Sequence, residues 1–569
     1  MPLVWLGAAT VLLFGAAYLV YGRLLAGGLG LDDARPVPAR VLEDGTDYIP
    51  TPPFRLLAQH FSAISAAGPI VGPILAGLLF GWGPGLLWIL LGCVFIGAVH
   101  DMASLAASMR HGARSVAEIL REHVGTPVYL LFLTFIWLAL VLVVINFTDV
   151  TARAFTAGQL DIGGASLVPG PAVASSSMMY LVLAAAMGVI LTKTRAPFAV
   201  VGTAGAALLF ALIHFGSVLP LSMPGSLSYG AGLRAWDAVI LLYCFAASVA
   251  PMWLFLQPRG FLGGILLYVF LGTGLVGLFL GGFHAQGAAF TGWHAPNGQP
   301  LVPILFVTIA CGACSGFHGL VCSGTTSKQV ARESHARPVA YGAMLLEGVI
   351  AVIALSTVMM VAPGAAPRGA DGAIDTNAIF AGGIARFAGV LGVPLAFGLQ
   401  FGFLALATFI YDTLDVCTRL GRYLLQELAH EVFGRTLDRF SATALTLAVP
   451  AVCLLGGVDY MTAWRIFGAS NQLLAALTLL ALSIWLRRRG KNPVYIVLPM
   501  IFVMVMTVWA LVLGMMNSGN PMLLRALSGV LVALALAVIA LSARAFLRPE
   551  PLSGDAHVTG AADAAPFQA

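Results

Sequence analysis

Residues 62–77, SAISAAGPIVGPILAG, decide how this chain folds. The run is apolar enough to lie in a membrane, yet it contains the pairs Gly68-Pro69 and Gly72-Pro73. Proline removes a backbone hydrogen-bond donor and clashes with the preceding helical turn, so a helix should open here. Open backbone at membrane depth is tolerated only where it lines a cavity. We therefore expect a broken membrane helix beside an internal site.

The composition of the 569 residues indicates a polytopic membrane protein. Hydrophobic residues make up 59% of the chain and charged residues 9%, against roughly 45–50% and 25% in soluble globular domains. The stretches between apolar runs are too short for an extramembrane domain. The net charge of +5 comes from basic residues scattered over short loops, which is a topology signal and gives no reason to expect a nucleic-acid partner.

Seven cysteines nearly all fall inside apolar segments, where a thiol packs as a small hydrophobe. A disulfide framework is therefore not expected. Cys311 and Cys314 form a C-x-x-C pair, but no second pair lies nearby, so the spacing does not favour a redox or zinc role.

Apolar runs of spanning length predict fifteen transmembrane helices. The runs are 3–22, 62–80, 85–108, 127–150, 177–192, 197–215, 236–256, 260–283, 301–323, 339–361, 391–412, 443–457, 464–486, 493–515 and 523–545. If the first crosses from outside to inside, the loops facing the cytoplasm hold 23 of the 29 Lys and Arg residues. This bias predicts an outside N-terminus and a cytoplasmic C-terminus. The tail 549–569 is predicted to be disordered.

A second interruption is predicted in the run 236–256, where CFAASVAPMWLF places Pro251 after small residues. Four spans separate the two interrupted runs, which cross the membrane in opposite directions. Two sets of five spans in opposite orientation, each opening with a broken helix, are typical of an inverted-repeat transporter of the leucine-transporter or APC type. The alternative is that Gly and Pro only kink packed membrane helices.

The predicted organisation is an all-α membrane protein with a 5+5 repeat core, one N-terminal helix and about four C-terminal helices. Its parts are listed by residue number: an N-terminal helix and cytoplasmic loop at 1–59, the first repeat at 60–215, the second repeat at 236–412, and an amphipathic cytoplasmic segment with C-terminal helices at 413–548. Within the last part, 418–435 is expected to form a surface helix.

The candidate site lies at the predicted breaks, because half-helix N-termini there attract a carboxylate. The expected substrate-binding residues are Ala67, Gly68, Pro69, Ser248, Val249, Ser315 and His318. The expected ion-coupling residues are Ser315, Ser323, Thr325, His318 and Glu347, of which the hydroxyls suit sodium and the imidazole suits a proton. The expected gating or polar-network residues are His60, His100 and Asp101. For His318 the alternative is a satisfied interior histidine beside a small-residue packing face.

Six motifs together resemble the carbon starvation protein A family. They are DYIPT (47–51), HFSAISAAGPIVGP (60–73), GAVHD (97–101), SGFHGLVCSGTTSK (315–328), TRLGRYLLQE (418–427) and FGASNQLLA (467–475). The resemblance implies a bacterial or archaeal inner-membrane transporter, grouped with the amino acid, polyamine and organocation transporters and associated with uptake of peptides or pyruvate in carbon starvation. The chain departs from the family at Gln59-His60, where two histidines are usual, and at His100, where glutamine is usual.

The predicted function is ion-coupled import of a small carboxylate-bearing nutrient, pyruvate or a short peptide, across the inner membrane. The alternatives are a sodium-coupled amino acid transporter, a membrane sensor and a metal-binding membrane protein. No enzymatic activity and no cofactor are expected, and the coupling ion is H+ or Na+. Zinc is not favoured, because the ligands are dispersed and no H-x3-H spacing occurs. The expected partners are a small-molecule substrate and the lipid bilayer, and the sequence leaves the oligomeric state open.

Overall fold

The computed structural model describes residues 1–45, 47–162, 165–224, 227–369, 372–458 and 460–548. The tail 549–569, predicted to be disordered, lies outside the described residues.

The described chain is almost entirely helical. The helices of the first half are α1 (Leu3–Leu19), α2 (Tyr21–Leu29), α3 (Pro38–Val41), α4 (Pro53–Ile64), α5 (Gly68–Phe80), α6 (Trp82–Gly92), α7 (Ala98–Arg110), α8 (Val116–Val124), α9 (Thr126–Phe155), α10 (Pro169–Lys193), α11 (Phe198–Val218), α12 (Tyr229–Val249) and α13 (Leu256–Leu280). Those of the second half are α14 (Leu301–Thr308), α15 (Gly316–Val321), α16 (Gly342–Met359), α17 (Thr376–Gly389), α18 (Leu395–Phe433), α19 (Arg439–Leu455), α20 (Tyr460–Arg488), α21 (Val494–Met516) and α22 (Met522–Leu547).

Short segments of other types punctuate the helices. A small antiparallel hairpin pairs β1 (Leu160–Ile162) with β2 (Ala165–Leu167). Three π-helical segments continue α-helices at Cys93–Gly97, Cys322–Thr326 and Arg337–Tyr341, and a single 3-10 turn covers Glu333–His335.

Twelve helices among the described residues are long and apolar enough to cross a membrane, and thirteen if the bent pair α4–α5 is one span. The protein is therefore a multi-pass membrane protein. The predicted count of fifteen is not confirmed. Of the runs that account for the difference, 301–323 is interrupted and 443–457 falls on α19, which has only 17 residues.

The break predicted in 62–80 is confirmed. Helix α4 ends at Ile64 and α5 begins at Gly68, with a 50° bend between them. Pro69 lies in the first turn of α5, where the missing N–H has no intrahelical partner to lose, so the proline starts a helix after the break. The second pair does not break the chain, since Pro73 lies inside α5.

The interruption predicted within 236–256 is wrong. Helix α12 runs without a break to Val249, and Pro251 lies in the connection to α13, beyond the last helical turn. The second broken segment is instead 301–323, where α14 ends at Thr308 and α15 begins at Gly316. Six spans, not four, lie between the two breaks, so the predicted 5+5 repeat is not confirmed.

The two broken segments are built alike. Each is followed by a span that contains a π-helical segment, Cys93–Gly97 between α6 and α7 in the first case and Arg337–Tyr341 before α16 in the second. Each broken segment also packs against the span that follows the other one. Helix α5 packs most extensively against α16, and α7 packs against the π-helical segment that follows α15. The two breaks and the two π-containing spans thus form one compact unit.

Helix α18 continues the predicted span 391–412 far beyond its expected end. Its 39 residues give a length of about 58 Å at 1.5 Å per residue, nearly twice a hydrocarbon core of about 30 Å. The segment 418–435 is therefore no separate surface helix. Arg419 and Arg422, which belong to this segment, are buried.

Candidate functional site

The two breaks are in direct contact. A Cβ atom added to Gly68 would lie 2.3 Å from Cys311 Sγ, and one added to Gly72 would lie 2.5 Å from the carbonyl oxygen of Thr308. Both distances are far below van der Waals contact. Glycine at these two positions therefore lets the N-terminal half of α5 reach the unwound segment 309–315 of the second break.

The backbone freed by the second break is hydrogen-bonded by side chains from neighbouring spans. Carbonyl oxygens that leave a helix in a membrane must find another donor, because no lipid group supplies one. Four side chains donate: Gln472 Nε2 to Phe306 O at 2.9 Å, Trp464 Nε1 to Thr308 O at 3.2 Å, Trp88 Nε1 to Ile309 O at 3.1 Å, and Cys93 Sγ to Gly312 O at 3.1 Å. These four side chains thus stabilise the interruption of the helix.

Asn471 on α20 holds the end of the unwound segment. Its Oδ1 accepts from the backbone N–H of Phe317 at 3.0 Å, and its Nδ2 donates to Ser315 Oγ at 3.0 Å and to Cys311 Sγ at 3.2 Å. The motif FGASNQLLA indicated only a resemblance to a family, and this role of Asn471 and Gln472 was not predicted. The available signal was an adjacent Asn-Gln pair inside a long apolar run.

Four predicted residues come together in a central ionisable cluster, defined as His100, Asp101, His318 and Glu347. His100 Nδ1 lies 2.7 Å from Asp101 Oδ1, and His318 Nδ1 lies 2.9 Å from Asp101 Oδ2. On its other side, His318 Nε2 lies 3.1 Å from Glu347 Oε2, at ion-pair distance but without hydrogen-bond alignment. All four side chains are fully buried. The cluster joins α7, α15 and α16, which are parts of both halves of the compact unit.

The charge of the cluster depends on bound protons. Two ionised carboxylates with neutral histidines carry a net charge of −2, and an uncompensated buried charge costs several kcal/mol. A proton on His318 produces an imidazolium with a carboxylate oxygen facing each ring nitrogen. The arrangement is therefore chemically suited to take up a proton and to lose it with a large change in local electrostatics.

Gly319 permits this geometry. A Cβ atom on Gly319 would lie 3.0 Å from His100 Cε1 and 3.5 Å from Ser104 Oγ. A side chain there would require the imidazole of His100 to shift by a few tenths of an ångström, which would disturb its contact with Asp101.

His60 lies near the cluster on the other side of the second broken segment. Its Nδ1 is 2.8 Å from Thr326 Oγ1 and its Nε2 is 3.8 Å from Cys322 Sγ, so it joins α4 to the π-helical segment after α15.

Ser323 and Thr325, expected as ion ligands, have hydroxyls that make hydrogen bonds within their own helix. They donate to Gly319 O at 2.7 Å and to Val321 O at 3.2 Å.

The structure brings Ala67, Gly68 and Pro69 to the unwound segment, which includes Ser315. It does not bring Ser248 and Val249 there. Ser248 Oγ lies 3.2 Å from Thr443 Oγ1 on α19. The reason is that Ser248 and Val249 end α12, which packs mainly against α9, α18 and α19.

One group of possible metal ligands exists in the part of the chain that the structure describes, and it lies outside the central cluster. The ligand atoms of His111, Glu122 and His123 lie within 4.8 Å of one another in and around the α7–α8 connection. His111 Nε2 and His123 Nε2 are 3.2 Å apart, which also suits a simple hydrogen bond between the rings.

Membrane-crossing helices with two broken segments in contact, arranged around buried ionisable groups, form the architecture of a membrane transporter. The family model described as Carbon starvation protein CstA matches residues 3–377 and 369–510. The chain belongs to this family, as its motifs indicate.

Curated relatives carry transporter names. The "Peptide transporter CstA" of Helicobacter pylori (strain J99) is 30% identical over 92% of this chain and 84% of the relative. The Bacillus subtilis "Peptide transporter CstA" is 31% identical over 83% of each. The "Pyruvate/proton symporter BtsT" of Escherichia coli K12 is 31% identical over 91% of this chain and 82% of the relative. The chain is thus a membrane transporter with a small-molecule substrate.

Among solved structures, the Eremococcus coleocola manganese transporter in complex with an aromatic bis-isothiourea compound matches with a TM-score of 0.45. It shares 13% sequence identity over 89% of this chain and 98% of that chain.

Proposed function

We propose that the protein is a proton-coupled importer of a small carboxylate-bearing nutrient, pyruvate or a short peptide, in the inner membrane. The observation that carries the proposal is the central ionisable cluster, in which His318 lies between Asp101 and Glu347. The names of the relatives, a pyruvate/proton symporter and several peptide transporters, supply the substrate classes.

A proton is favoured over sodium by the chemistry of the groups at the site. Sodium is held by several oxygen ligands, whereas the cluster alternates carboxylates and imidazoles at 2.7–3.1 Å, which suits proton transfer. The hydroxyls of Ser323 and Thr325, expected as sodium ligands, donate within their own helix.

The mechanism we propose is alternating access. The substrate carboxylate binds where the N-terminus of α5, at Ala67-Gly68, meets Ser315 and the unwound segment. Protonation of the cluster holds α15 to α7 and α16 because the imidazolium attracts both carboxylates. Loss of the proton to the cytoplasm weakens those contacts and lets the broken segments move. The N-terminus is outside and the C-terminus cytoplasmic in this scheme, as the Lys and Arg bias predicts.

Uptake by purified protein in liposomes tests the proposal. Labelled pyruvate or a labelled dipeptide is added with no gradient, with an imposed inward proton gradient or with an imposed inward sodium gradient, while an internal dye reports the pH. Saturable accumulation with acidification of the lumen supports proton-coupled import. Accumulation of labelled dipeptide alone keeps the mechanism and replaces the substrate, while dependence on a sodium gradient refutes proton coupling.

Two histidine variants link transport to the cluster. His318→Gln is expected to abolish gradient-driven accumulation, because glutamine cannot carry the proton between the two carboxylates. His214→Gln is the matched control, since His214 is exposed on α11. Equal accumulation by both variants would contradict a coupling role for His318.

A further inference from the structure

One face of α18 is polar although it is buried in the bundle. Its members recur at the three- and four-residue spacing that places side chains on one side of a helix, and several of them contact residues of α12 and α13. They are Thr408, Tyr411, Asp412, Asp415, Thr418, Arg419 and Arg422. We call this set the polar face of α18.

Arg259, the fourth residue of α13, is fully buried against the polar face of α18. Its guanidinium donates from Nη2 to Asp412 Oδ1 at 3.0 Å and from Nη1 to Asp415 Oδ2. The rings of Tyr243 and Tyr411 flank it at 5.5 and 5.6 Å. In this contact one guanidinium faces two carboxylates, and Arg419, one turn after Asp415 on the same face, is the next positive charge.

The same region concentrates buried polar atoms that have no hydrogen-bond partner. Among the described residues, those around Arg259 are Arg259 Nε, Thr408 Oγ1, Tyr411 OH and Asp415 Oδ1, while Thr418 Oγ1, Arg419 Nε and Arg422 Nε lie further along α18. Most buried polar groups in proteins are paired, so a cluster of unpaired ones requires an explanation. Three of the four atoms around Arg259 can donate a hydrogen bond and only Asp415 Oδ1 is a pure acceptor. Their chemical complement is a small anion rich in acceptor oxygens.

We propose that Arg259 and the polar face of α18 form a second site, which binds the carboxylate of the transported substrate before it passes to the N-terminus of α5, with Asp412 occupying this second site when substrate is absent. This inference rests on the proposed function, since it assumes a carboxylate-bearing substrate. Asp412 is the more accessible of the two partners, with 14% of its side chain exposed against 3% for Asp415. An incoming carboxylate replaces Asp412 on Arg259, while Asp415 and Tyr243 keep the guanidinium in place.

The site is separate from the central ionisable cluster but mechanically close to the first break. Gly263, one turn after Arg259, faces Asp412 so closely that an added Cβ would lie 2.2 Å from its Oδ2. The next residue, Gly264, faces Ser62 on α4, with a Cβ position 3.8 Å from Ser62 Oγ. Helix α4 is the first half of the broken span. Exchange of carboxylates on Arg259 therefore takes place beside an element that the proposed mechanism moves.

Equilibrium binding of labelled pyruvate and of labelled Ala-Ala to detergent-purified protein tests the inference. Arg259→Gln is expected to weaken binding of the transported probe about 10- to 100-fold, the effect of losing charge-assisted hydrogen bonds. Asp412→Asn is expected to strengthen binding, because the internal competitor loses its charge. Arg386→Gln is the control, since Arg386 is exposed on α17, where it donates to the backbone carbonyl of Met360.

A double variant distinguishes loss of the binding site from misfolding. Arg259→Gln leaves two buried aspartates without their cation, so Arg259→Gln with Asp415→Asn, which restores the charge balance, is measured beside it. Weak binding by the double variant with a wild-type elution profile and melting temperature supports the inference. Wild-type affinity in either Arg259 variant, or unchanged or weaker binding by Asp412→Asn, overturns it. Absence of both binding and uptake in the wild type would instead refute the proposed function.

Discussion

Replacing Asn471 by leucine tests whether the second break is held open by this one side chain. Leucine fills nearly the same volume and keeps water out, so the groups that Asn471 satisfies stay unpaired. The most important is the backbone N–H of Phe317, which donates to Asn471 Oδ1 at 3.0 Å at the start of α15. The bonds from Asn471 Nδ2 to Ser315 Oγ and Cys311 Sγ are lost as well.

The expected cost follows from the number of groups left without partners. A buried donor without an acceptor costs about 1–3 kcal/mol, and a lost hydrogen bond between neutral groups costs about 0.5–1.5 kcal/mol. Asn471→Leu should therefore lower the free energy of unfolding by about 2–6 kcal/mol. Gln472→Leu removes a single bond, to Phe306 O at 2.9 Å, and should cost less.

Unfolding of the purified variants in mixed micelles of detergent and SDS measures these free energies, and liposome uptake measures the consequence for transport. Asn471→Leu should unfold at the lowest SDS fraction and transport slowest, with Gln472→Leu between it and the wild type. A free energy for Asn471→Leu within about 0.5 kcal/mol of the wild type, the effect of an ordinary surface substitution, would refute the view that Asn471 holds the unwound segment.

Two further predictions concern the first break and the α7–α8 connection. Gly68→Ala places a Cβ 2.3 Å from Cys311 Sγ, so it should destabilise the protein by about 1–3 kcal/mol and slow uptake. Adding Cys311→Gly to the same chain should restore uptake. If this second change does not restore uptake, the two breaks are not in direct contact. Burial, and then the nearby charges of His111 and Arg488, lower the pKa of His123 to about 3. Because the unfolded chain binds this proton near pH 6.5, folded stability should fall as the pH drops from 6.5 toward 3, by up to about 1.4 kcal/mol per pH unit. His123→Gln should therefore flatten the decline of the melting temperature between pH 7.5 and 5, and an unchanged slope would show that His123 does not cause it.

The first break was predictable because its cause is local. Gly68-Pro69 acts on its own helix, and any apolar run with that pair raises the same expectation. The second break has no proline at the point where the chain unwinds, residues 309–315. It depends on donors such as Trp464 and Asn471, which are more than 150 residues away in sequence. The hydropathy pattern therefore predicted an uninterrupted span there. The second break was predicted at Pro251 instead.

The members of the central cluster were predictable one by one, but their pairing was not. His100, Asp101, His318 and Glu347 are ionisable residues in apolar runs, which marks each as costly and therefore worth explaining. Which carboxylate faces which imidazole depends on how α7, α15 and α16 pack. Ser248 and Val249 were assigned to the site by counting spans, and the count failed when the second break proved to be in another span.

The π-helical segment Cys93–Gly97 sets the register of everything that follows it in its span. A π-helical turn contains one residue more than an α-helical turn, so winding these residues into a regular α-helix without removing one would turn the rest of the span by about 100°. His100 and Asp101 would then leave the face that meets His318, while the hydropathy of the span would hardly change. Deleting one residue within the segment would instead give a regular helix that keeps both side chains on that face. In an alignment of relatives, a one-residue gap at 93–97 would therefore mark a chain that has lost the π-helical turn but keeps its proton site.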